Sequence, residues 1–136
     1  MKCSAVYART AQASPDSIQQ QLERCSRAAE RLGFRVDARF QDDGISGRSL
    51  PASRPGYRRL EDHLALGRCD VVIVENADRL SRSGTHLAAV LEVFGGWGIR
   101  VLEAETECEL SLVTLLGQGA CALRLARFPS EGRSRQ

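Results

Sequence analysis

The run DVVIVEN at residues 70–76 constrains the fold of this chain more than any other segment. Its four consecutive β-branched residues predict a strand that is buried on both faces, as strands of parallel sheets are. Other β-like runs occur at residues 3–8, 34–40 and 98–105, and segments with helical periodicity separate the runs. This alternation predicts an α/β fold with a mainly parallel, four- to five-stranded sheet flanked by helices.

Three of the intervening segments carry apolar residues at helical spacing. The first begins at a capping-box pair, Ser17 and Gln20, and ends at Gly33. The second begins at Pro55, a residue that suits the first turn of a helix. The predicted inward faces are Ile18, Leu22, Cys25, Ala29 and Leu32 in the first helix, Tyr57, Leu60, Leu64 and Ala65 in the second, and Leu87, Val90, Leu91 and Phe94 in the third.

The other segments are less regular. Residues 41–53, rich in Gly, Ser and Asp, predict a long mobile loop. Residues 110–128 have an apolar period that predicts a fourth helix, which Gly117 and Gly119 weaken. Residues 128–136 form a polar tail, so the expected organisation is one domain over residues 1–127 without a separate DNA-reading domain.

Composition excludes several classes of protein. The length of 136 residues, 26% of them charged, predicts a single domain. No apolar run reaches about 18 residues, so no membrane-spanning segment is expected. The net charge of +2 is too small to establish a nucleic-acid partner, although the chain's one lysine is Lys2 and its other cationic residues are arginine, which suits phosphate contacts. His63 and His86 have no metal-spaced partners, so no metal or cofactor is expected. The cysteines form no CxxC pair and predict reduced thiols in a cytoplasmic protein: Cys3, Cys25, Cys69, Cys108 and Cys121.

Two predicted strand ends carry clustered polar residues. Arg9 follows the first strand, and Asp78, Arg79 and Arg82 follow the apolar strand at residues 70–76. The carboxyl ends of parallel strands meet at one edge of a sheet, and Arg54 follows the predicted loop toward the same edge. Converging guanidinium groups would bind a phosphate and stabilise the charge of phosphoryl transfer.

Several motifs together resemble the catalytic domain of the serine recombinases, the resolvase and invertase family. They run in order from residue 2 to residue 105: YAR, SIQQQLERC, FQDDGISG, SRPGYRRL, DVVIVENADRLSRS and GIRVLEAE. The resemblance implies a resolvase-like fold and a role in DNA strand cleavage and exchange in a site-specific recombinase of a mobile element. In this family a serine hydroxyl attacks a DNA phosphodiester and forms a phosphoserine link, without metal or nucleotide.

The resemblance also implies roles for individual residues. Arg9 corresponds to the arginine beside the nucleophile, and Gln21 corresponds to a glutamine that lines the site. Arg54 matches the arginine of the RPG motif, and Asp78, Arg79 and Arg82 match the DRLSR motif. These six residues form the expected catalytic set, and its four arginines are the expected contacts to DNA phosphate.

The nucleophile position departs from the family pattern. By the YARxS pattern it is occupied by Ala11, which has no hydroxyl group to attack a phosphate. Thr10 is adjacent, but its side chain is expected to point to the opposite side. Ser14 lies in a turn before Pro15, and Ser17 is the expected helix cap.

The carboxyl-terminal part is the second departure. The family has a long helix there that supports dimer contacts, carries an acidic residue near the site and leads into the DNA. In this chain, residues 110–128 contain two glycines and no acidic residue. Arg124 and Arg127 leave this part basic, so they are further candidates for contacts to DNA phosphates. The resemblance implies DNA as a partner, together with a homodimer or an association with a full-length recombinase.

Three functions remain open at this point. The first is a catalytically silent domain that binds DNA or a recombinase partner, and the second is an active recombinase that uses another hydroxyl or whose serine has been replaced by Ala11. The third is a truncated remnant of a mobile element. Asp42 and Asp43 also suggest a receiver-type or magnesium site, but DDGISG fits the recombinase loop better, and no glycine-rich phosphate loop opens the first helix.

Overall fold

The computed structural model describes residues 2–115 and 120–127 and shows a six-stranded sheet flanked by helices. In chain order the strands are β1 (Lys2–Arg9), β2 (Phe34–Asp42), β3 (Val71–Val74), β4 (Arg100–Glu103), β5 (Cys108–Leu115) and β6 (Ala120–Arg127). The helices are α1 (Pro15–Arg31), α2 (Pro55–Ala65), the short α3 (Ala77–Leu80) and α4 (Gly84–Gly96). A single 3-10 turn, Pro51–Ser53, precedes α2.

The sheet has the strand order β2-β1-β3-β4-β5-β6. Strands β2, β1, β3 and β4 pair in parallel, which confirms the predicted α/β fold and mainly parallel sheet. All four residues of β3 are buried, because apolar clusters cover both faces of the sheet. Helix α1 packs on one face, and α2 and α4 contribute to the core on the other.

The predicted fourth helix over residues 110–128 is wrong. This segment contributes most of β5 and all of β6, which pair antiparallel with each other, while β5 pairs antiparallel with β4. In CELSLVTL, the polar residues Glu109 and Ser111 alternate with Leu110 and Leu112, a period of two that suits a strand better than a helix. The sheet therefore has six strands among the described residues rather than four or five.

Two smaller predictions also differ from the structure. Helix α1 is capped by Ser14 and not by Ser17, since the Ser14 hydroxyl accepts a hydrogen bond of 3.3 Å from the Ser17 backbone N–H. Pro15 then occupies the first helical turn, where its missing N–H costs nothing. Ala65, predicted to face inward, is exposed, whereas the other predicted inward residues of α2 are buried.

Some predictions fall outside the described residues. The polar tail, residues 128–136, lies outside them, and so do the side chains of Arg124 and Arg127, whose backbone belongs to β6. In the part of the chain that the structure does describe, no helix combines the length and apolar character needed to cross a membrane.

Candidate functional site

The predicted arginine residues meet at the carboxyl-terminal edge of the sheet. Strand β1 lies between β2 and β3, with Arg9 opposite Asp42 and Tyr7 opposite Val74. The chain leaves β1 toward α1 on one face of the sheet and leaves β3 toward α3. This is a topological switch point, the position where open α/β sheets bind ligands.

Arg9 joins the loop after β2 to the segment that contains α3. Its side chain is only 2% exposed, and its guanidinium donates hydrogen bonds to three backbone carbonyls: those of Asp78 (2.6 Å), Ile45 (2.8 Å) and Arg79 (3.1 Å). The Gln21 side chain fixes the backbone of Arg9 by accepting from its N–H and donating to its carbonyl, both at 3.1 Å. Gln21 therefore positions Arg9 at the strand end.

Arg54 is fully buried, and all its N–H groups are engaged. Nε donates to the Ser49 hydroxyl, while the two terminal nitrogens donate to the carbonyls of Leu80 (2.6 Å), Ser49 (3.1 Å) and Gly47 (3.3 Å) and to the Tyr7 hydroxyl (3.4 Å). These acceptors come from the loop after β2, from β1 and from the end of α3. In this conformation Arg54 fixes the loop against α3, and none of its donors faces solvent.

The guanidinium groups of the site raise its positive potential. The pKa of Arg9 is lowered, first because burial removes water from its charge and then because Arg54, Arg79 and Arg82 repel it. Among the described residues, no carboxylate lies within ion-pair distance of Arg9 or Arg54. A bound anion would offset this repulsion.

Arg79 is held by Glu75, a buried carboxylate that the sequence analysis missed. Nε and a terminal nitrogen of Arg79 contact Glu75 Oε1 at 3.2 and 3.0 Å, and the other terminal nitrogen donates to the Arg9 carbonyl. Arg24 of α1 pairs with the other Glu75 oxygen. The signal in the sequence was a carboxylate directly after an apolar strand and four residues before an arginine.

Asp78 and Arg82 are the exposed members of the predicted set. Within the described residues, neither the Asp78 carboxylate nor the Arg82 guanidinium has a hydrogen bond or ion pair. The Arg82 backbone N–H donates to the Gly47 carbonyl at 2.8 Å. A Cβ atom at Gly47 would lie 2.5 Å from both the Arg82 Cγ and an Arg9 terminal nitrogen, so the loop packs directly against these two side chains.

Asp42 supports the site from the end of β2. Its carboxylate accepts hydrogen bonds from the backbone N–H groups of Gly56 (2.7 Å) and Tyr57 (2.9 Å) and from the Tyr7 hydroxyl (2.7 Å). It therefore caps the start of α2, where unpaired N–H groups favour a negative charge. Burial, the largest cause, raises the pKa of Tyr7 well above its ordinary value, so its hydroxyl stays protonated and donates to Asp42.

Comparison with known proteins gives the family. A family model described as the resolvase N-terminal domain matches residues 4–115. The chain belongs to this family. The resolvase of transposon Tn2501 from Escherichia coli is 34% identical over 86 residues, which cover 62% of this chain and 43% of that protein. The match thus spans less than half the length of this curated relative.

Solved structures agree with the family match. The N-terminal catalytic domain of TP901-1 integrase is similar with a TM-score of 0.72 at 29% identity, covering 79% of this chain and 82% of that one. The C-terminal catalytic domain of ISC1926 TnpA, an IS607-like serine recombinase, has a TM-score of 0.67 at 24% identity and covers 74% and 69% of the two chains. The second likeness concerns the fold alone. The recognised resemblance to serine recombinase catalytic domains is therefore confirmed.

The resolvase-type pattern predicts the nucleophile at the first turn after β1. By that pattern the predicted position is Ala11, which is exposed at the edge of the sheet. Thr10, one residue earlier, is 5% exposed, and its hydroxyl donates to the Asp43 carboxylate and accepts from the Gly44 N–H at 3.1 Å. Hydrogen bonds from the Thr10 hydroxyl and the Ser14 backbone N–H lower the pKa of Asp43.

The two nearby serine hydroxyls also have structural partners. Ser14 caps α1, as described above, and the Ser17 hydroxyl accepts from the Gln21 amide at 3.4 Å. Ala11 therefore lies at the exposed turn while the hydroxyl groups around it bond to the protein itself.

Proposed function

We propose that this chain is a resolvase-type domain that binds the DNA backbone and does not cleave it. The observation that carries the proposal is the exposed Ala11 directly after a strand end whose arginine residues are held in an ordered network. Covalent catalysis at this position needs a nucleophilic side chain, and alanine has none. The same network still presents positive charge to an anion.

Arg82 and Arg79 are the residues that we expect to contact phosphate. Arg82 is exposed and its guanidinium has no hydrogen bond within the described residues, while the side chain of Arg79 is 28% exposed. Arg9 is 2% exposed and donates to three backbone carbonyls, so we expect it to add positive charge to the site rather than to contact phosphate directly in this conformation. Arg54 would influence phosphate binding only through the loop that it holds, since all its N–H groups already donate to the protein.

The proposed partner chain is a second copy of this domain or a full-length recombinase. Recombination joins two DNA duplexes, so a domain that binds DNA without cutting it would compete with, or pair with, an active relative. DNA binding is the part of this proposal that the exposed arginine residues support.

The decisive experiment compares the native chain with Ala11→Ser. Each protein is incubated with supercoiled DNA, the reaction is stopped with denaturant, and DNA with covalently attached protein is measured. We expect no adduct from the native chain and an adduct from Ala11→Ser, because the substitution supplies the missing hydroxyl beside Arg9. Ala13→Ser is the matched control, since it adds the same hydroxyl two residues further along the exposed turn.

Two outcomes would contradict the proposal. An adduct formed by the native chain would show that another hydroxyl attacks DNA. Thr10 is the candidate that the structure favours, because its hydroxyl contacts the Asp43 carboxylate, and Thr10→Val would then abolish the adduct. Equal amounts of covalent protein–DNA adduct from Ala11→Ser and Ala13→Ser would show that position 11 is not the nucleophile position.

A further inference from the structure

A histidine, an aspartate and a cysteine from three different elements meet at the edge of the sheet opposite the arginine residues. Asp37 belongs to β2, His63 to the last turn of α2, and Cys69 to the connection that leads into β3. One ligand atom from each side chain, the carboxylate oxygen, ring nitrogen and sulfur, lies within 4.8 Å of the other two. The arginine site lies where β1 and β3 end, whereas Cys69 precedes the start of β3.

A bulge in β2 brings Asp37 into this cluster. Ser4 of β1 is opposite Val36 and Ala5 is opposite Ala38, so Asp37 is the extra residue of β2 without a partner in β1. Bulges of this kind redirect a side chain. Here one carboxylate oxygen of Asp37, Oδ2, lies 3.2 Å from Nε2 of His63.

The His63 ring is held in place, yet Nε2 makes no satisfactory hydrogen bond. Its ring packs against Phe40 at a centroid distance of 5.5 Å. Nε2 is buried and, among the described atoms, has no hydrogen-bond partner with acceptable geometry, although Asp37 Oδ2 is close. A buried nitrogen of this kind costs free energy unless something else binds it. A cation between the nitrogen and the carboxylate would satisfy both groups.

The spacing suits a tetrahedral metal ion. Zinc binds nitrogen and oxygen ligands at about 2.0–2.1 Å, so two such ligands lie about 3.3 Å apart. The His63 and Asp37 atoms are already 3.2 Å apart. Sulfur at about 2.3 Å from zinc lies about 3.6 Å from the other ligands. The Cys69 sulfur lies within 4.8 Å of the other two ligand atoms, so it has to approach them by at most about 1.2 Å.

We propose that Asp37, His63 and Cys69 form a binding site for Zn²⁺ or a similar transition-metal ion, with a fourth position left for water. Oxygen, nitrogen and sulfur donors together fit zinc better than magnesium or calcium, which prefer oxygen ligands alone. The sequence predicts no metal, because His63 and His86 have no metal-spaced partners and residues 37, 63 and 69 come together only in the fold.

The local charges are compatible with a cation. Burial, with Asp37, Cys3 and Asp70 as weaker causes, raises the pKa of the Cys69 thiol to about 11. Metal binding needs the thiolate, so the Cys69 proton passes to solvent when the sulfur binds the metal. Arg35 lies 3.9 Å from the other Asp37 oxygen, Oδ1, and donates to the Cys3 sulfur at 3.0 Å, so it does not occupy the space between Asp37 Oδ2 and His63 Nε2.

Cobalt and zinc titrations of the full, untagged chain test the site. Co²⁺ bound to a thiolate absorbs light through sulfur-to-metal charge transfer, and Zn²⁺ should displace it at one ion per chain. We expect Cys69→Ser to abolish this absorption, and Asp37→Asn, a change at a partly exposed side chain, to weaken Zn²⁺ binding about tenfold or more. Circular dichroism checks that each variant is folded.

Cys108→Ser and His86→Gln are the matched controls, since both residues lie outside the cluster. Both variants should retain the charge-transfer absorption and the zinc affinity of the native chain. Three results would overturn the proposal: no charge-transfer absorption in the native chain, its persistence in Cys69→Ser, or unchanged zinc affinity in folded Asp37→Asn.

Discussion

Arg54 is a buried cation whose five hydrogen bonds go to three backbone carbonyls and two side-chain hydroxyls. A charge removed from water is costly unless its hydrogen bonds are replaced. Here the carbonyls of Gly47, Ser49 and Leu80 and the hydroxyls of Ser49 and Tyr7 replace them. The same hydrogen bonds stabilise the carbonyls of Ser49 and Leu80, which would otherwise lack a donor. At the scale of single residues, this arginine determines the shape of the loop that surrounds the site.

Replacing Arg54 should therefore affect stability before it affects binding. We expect Arg54→Met to lower the free energy of unfolding by about 2–4 kcal/mol, because buried carbonyls lose their donors at about 1–3 kcal/mol each, partly offset by removal of a buried charge. Urea unfolding followed by circular dichroism measures this. Arg48→Met, at an exposed arginine of the same loop, should change the value by about 0.5 kcal/mol or less. Equal losses in the two variants would contradict the role given to Arg54.

The sequence predicted which arginine residues would gather, but not what each one would contact. Arg9, Arg54, Arg79 and Arg82 do meet at one sheet edge, since strand ends and their order fix this. Their division into buried and exposed members depends on the path of the loop backbone, which supplies the carbonyl acceptors. A pattern of side chains contains no information about those carbonyls.

At the scale of elements, the start of α2 is fixed by a close backbone contact. A Cβ atom at Gly56 would lie 2.0 Å from the Gln41 carbonyl oxygen and 2.9 Å from Asp42 Cγ. Because Asp42 caps the N–H groups of Gly56 and Tyr57, the helix and β2 cannot separate without losing these hydrogen bonds. Packing therefore requires the glycine of the RPG motif, which also matches the family pattern.

A pair of glycine-to-alanine substitutions tests this contact. Gly56→Ala should destabilise the fold by about 3 kcal/mol, because backbone atoms have to move. Gly95→Ala, in α4, should instead stabilise it by about 0.5–1 kcal/mol, since a Cβ there meets nothing within 4 Å and alanine favours the helix. Thermal unfolding of both variants shows whether each substitution raises or lowers the stability of the fold. Stabilisation by Gly56→Ala would show that the contact is relaxed in solution.

Among the elements, the strands and helices with strong periodicity were predictable, and the carboxyl-terminal hairpin was not. Strand β3 and helices α1, α2 and α4 follow directly from apolar runs and stripes. Residues 110–128 contain apolar residues dense enough to match both helical and strand spacing over short stretches. Pairing of β5 with β4, in which Leu110 is opposite Val101, favours the strand, and that contact is a property of the tertiary structure.

At the scale of the whole molecule, the sheet separates two sets of polar residues. The carboxyl-terminal edge carries the arginine site, and the opposite edge carries Asp37, His63 and Cys69. Substitutions at one edge can therefore be used as controls for the other. The net charge of +2 is small, so the DNA binding that we propose would depend on the local clustering of arginine residues rather than on the overall charge.

The salt dependence of DNA binding tests this local attraction. Each phosphate contact releases counterions, so the logarithm of the binding constant falls with the logarithm of salt concentration by about 0.9 for each contact. Arg82→Gln should weaken binding and reduce the magnitude of this slope by about 1, since Arg82 is exposed with an unbonded guanidinium in the described structure. Fluorescence anisotropy with a labelled duplex at several salt concentrations measures both quantities.

Arg68→Gln supplies the control for this measurement. Arg68 is also exposed, but it precedes β3 and lies at the opposite edge of the sheet from Arg82. Both variants lose one positive charge, so an effect of net charge alone would change their slopes equally. A contact at the arginine site changes the slope for Arg82→Gln and leaves that of Arg68→Gln at the native value. Equal slopes for the two variants would place the bound DNA elsewhere on the molecule.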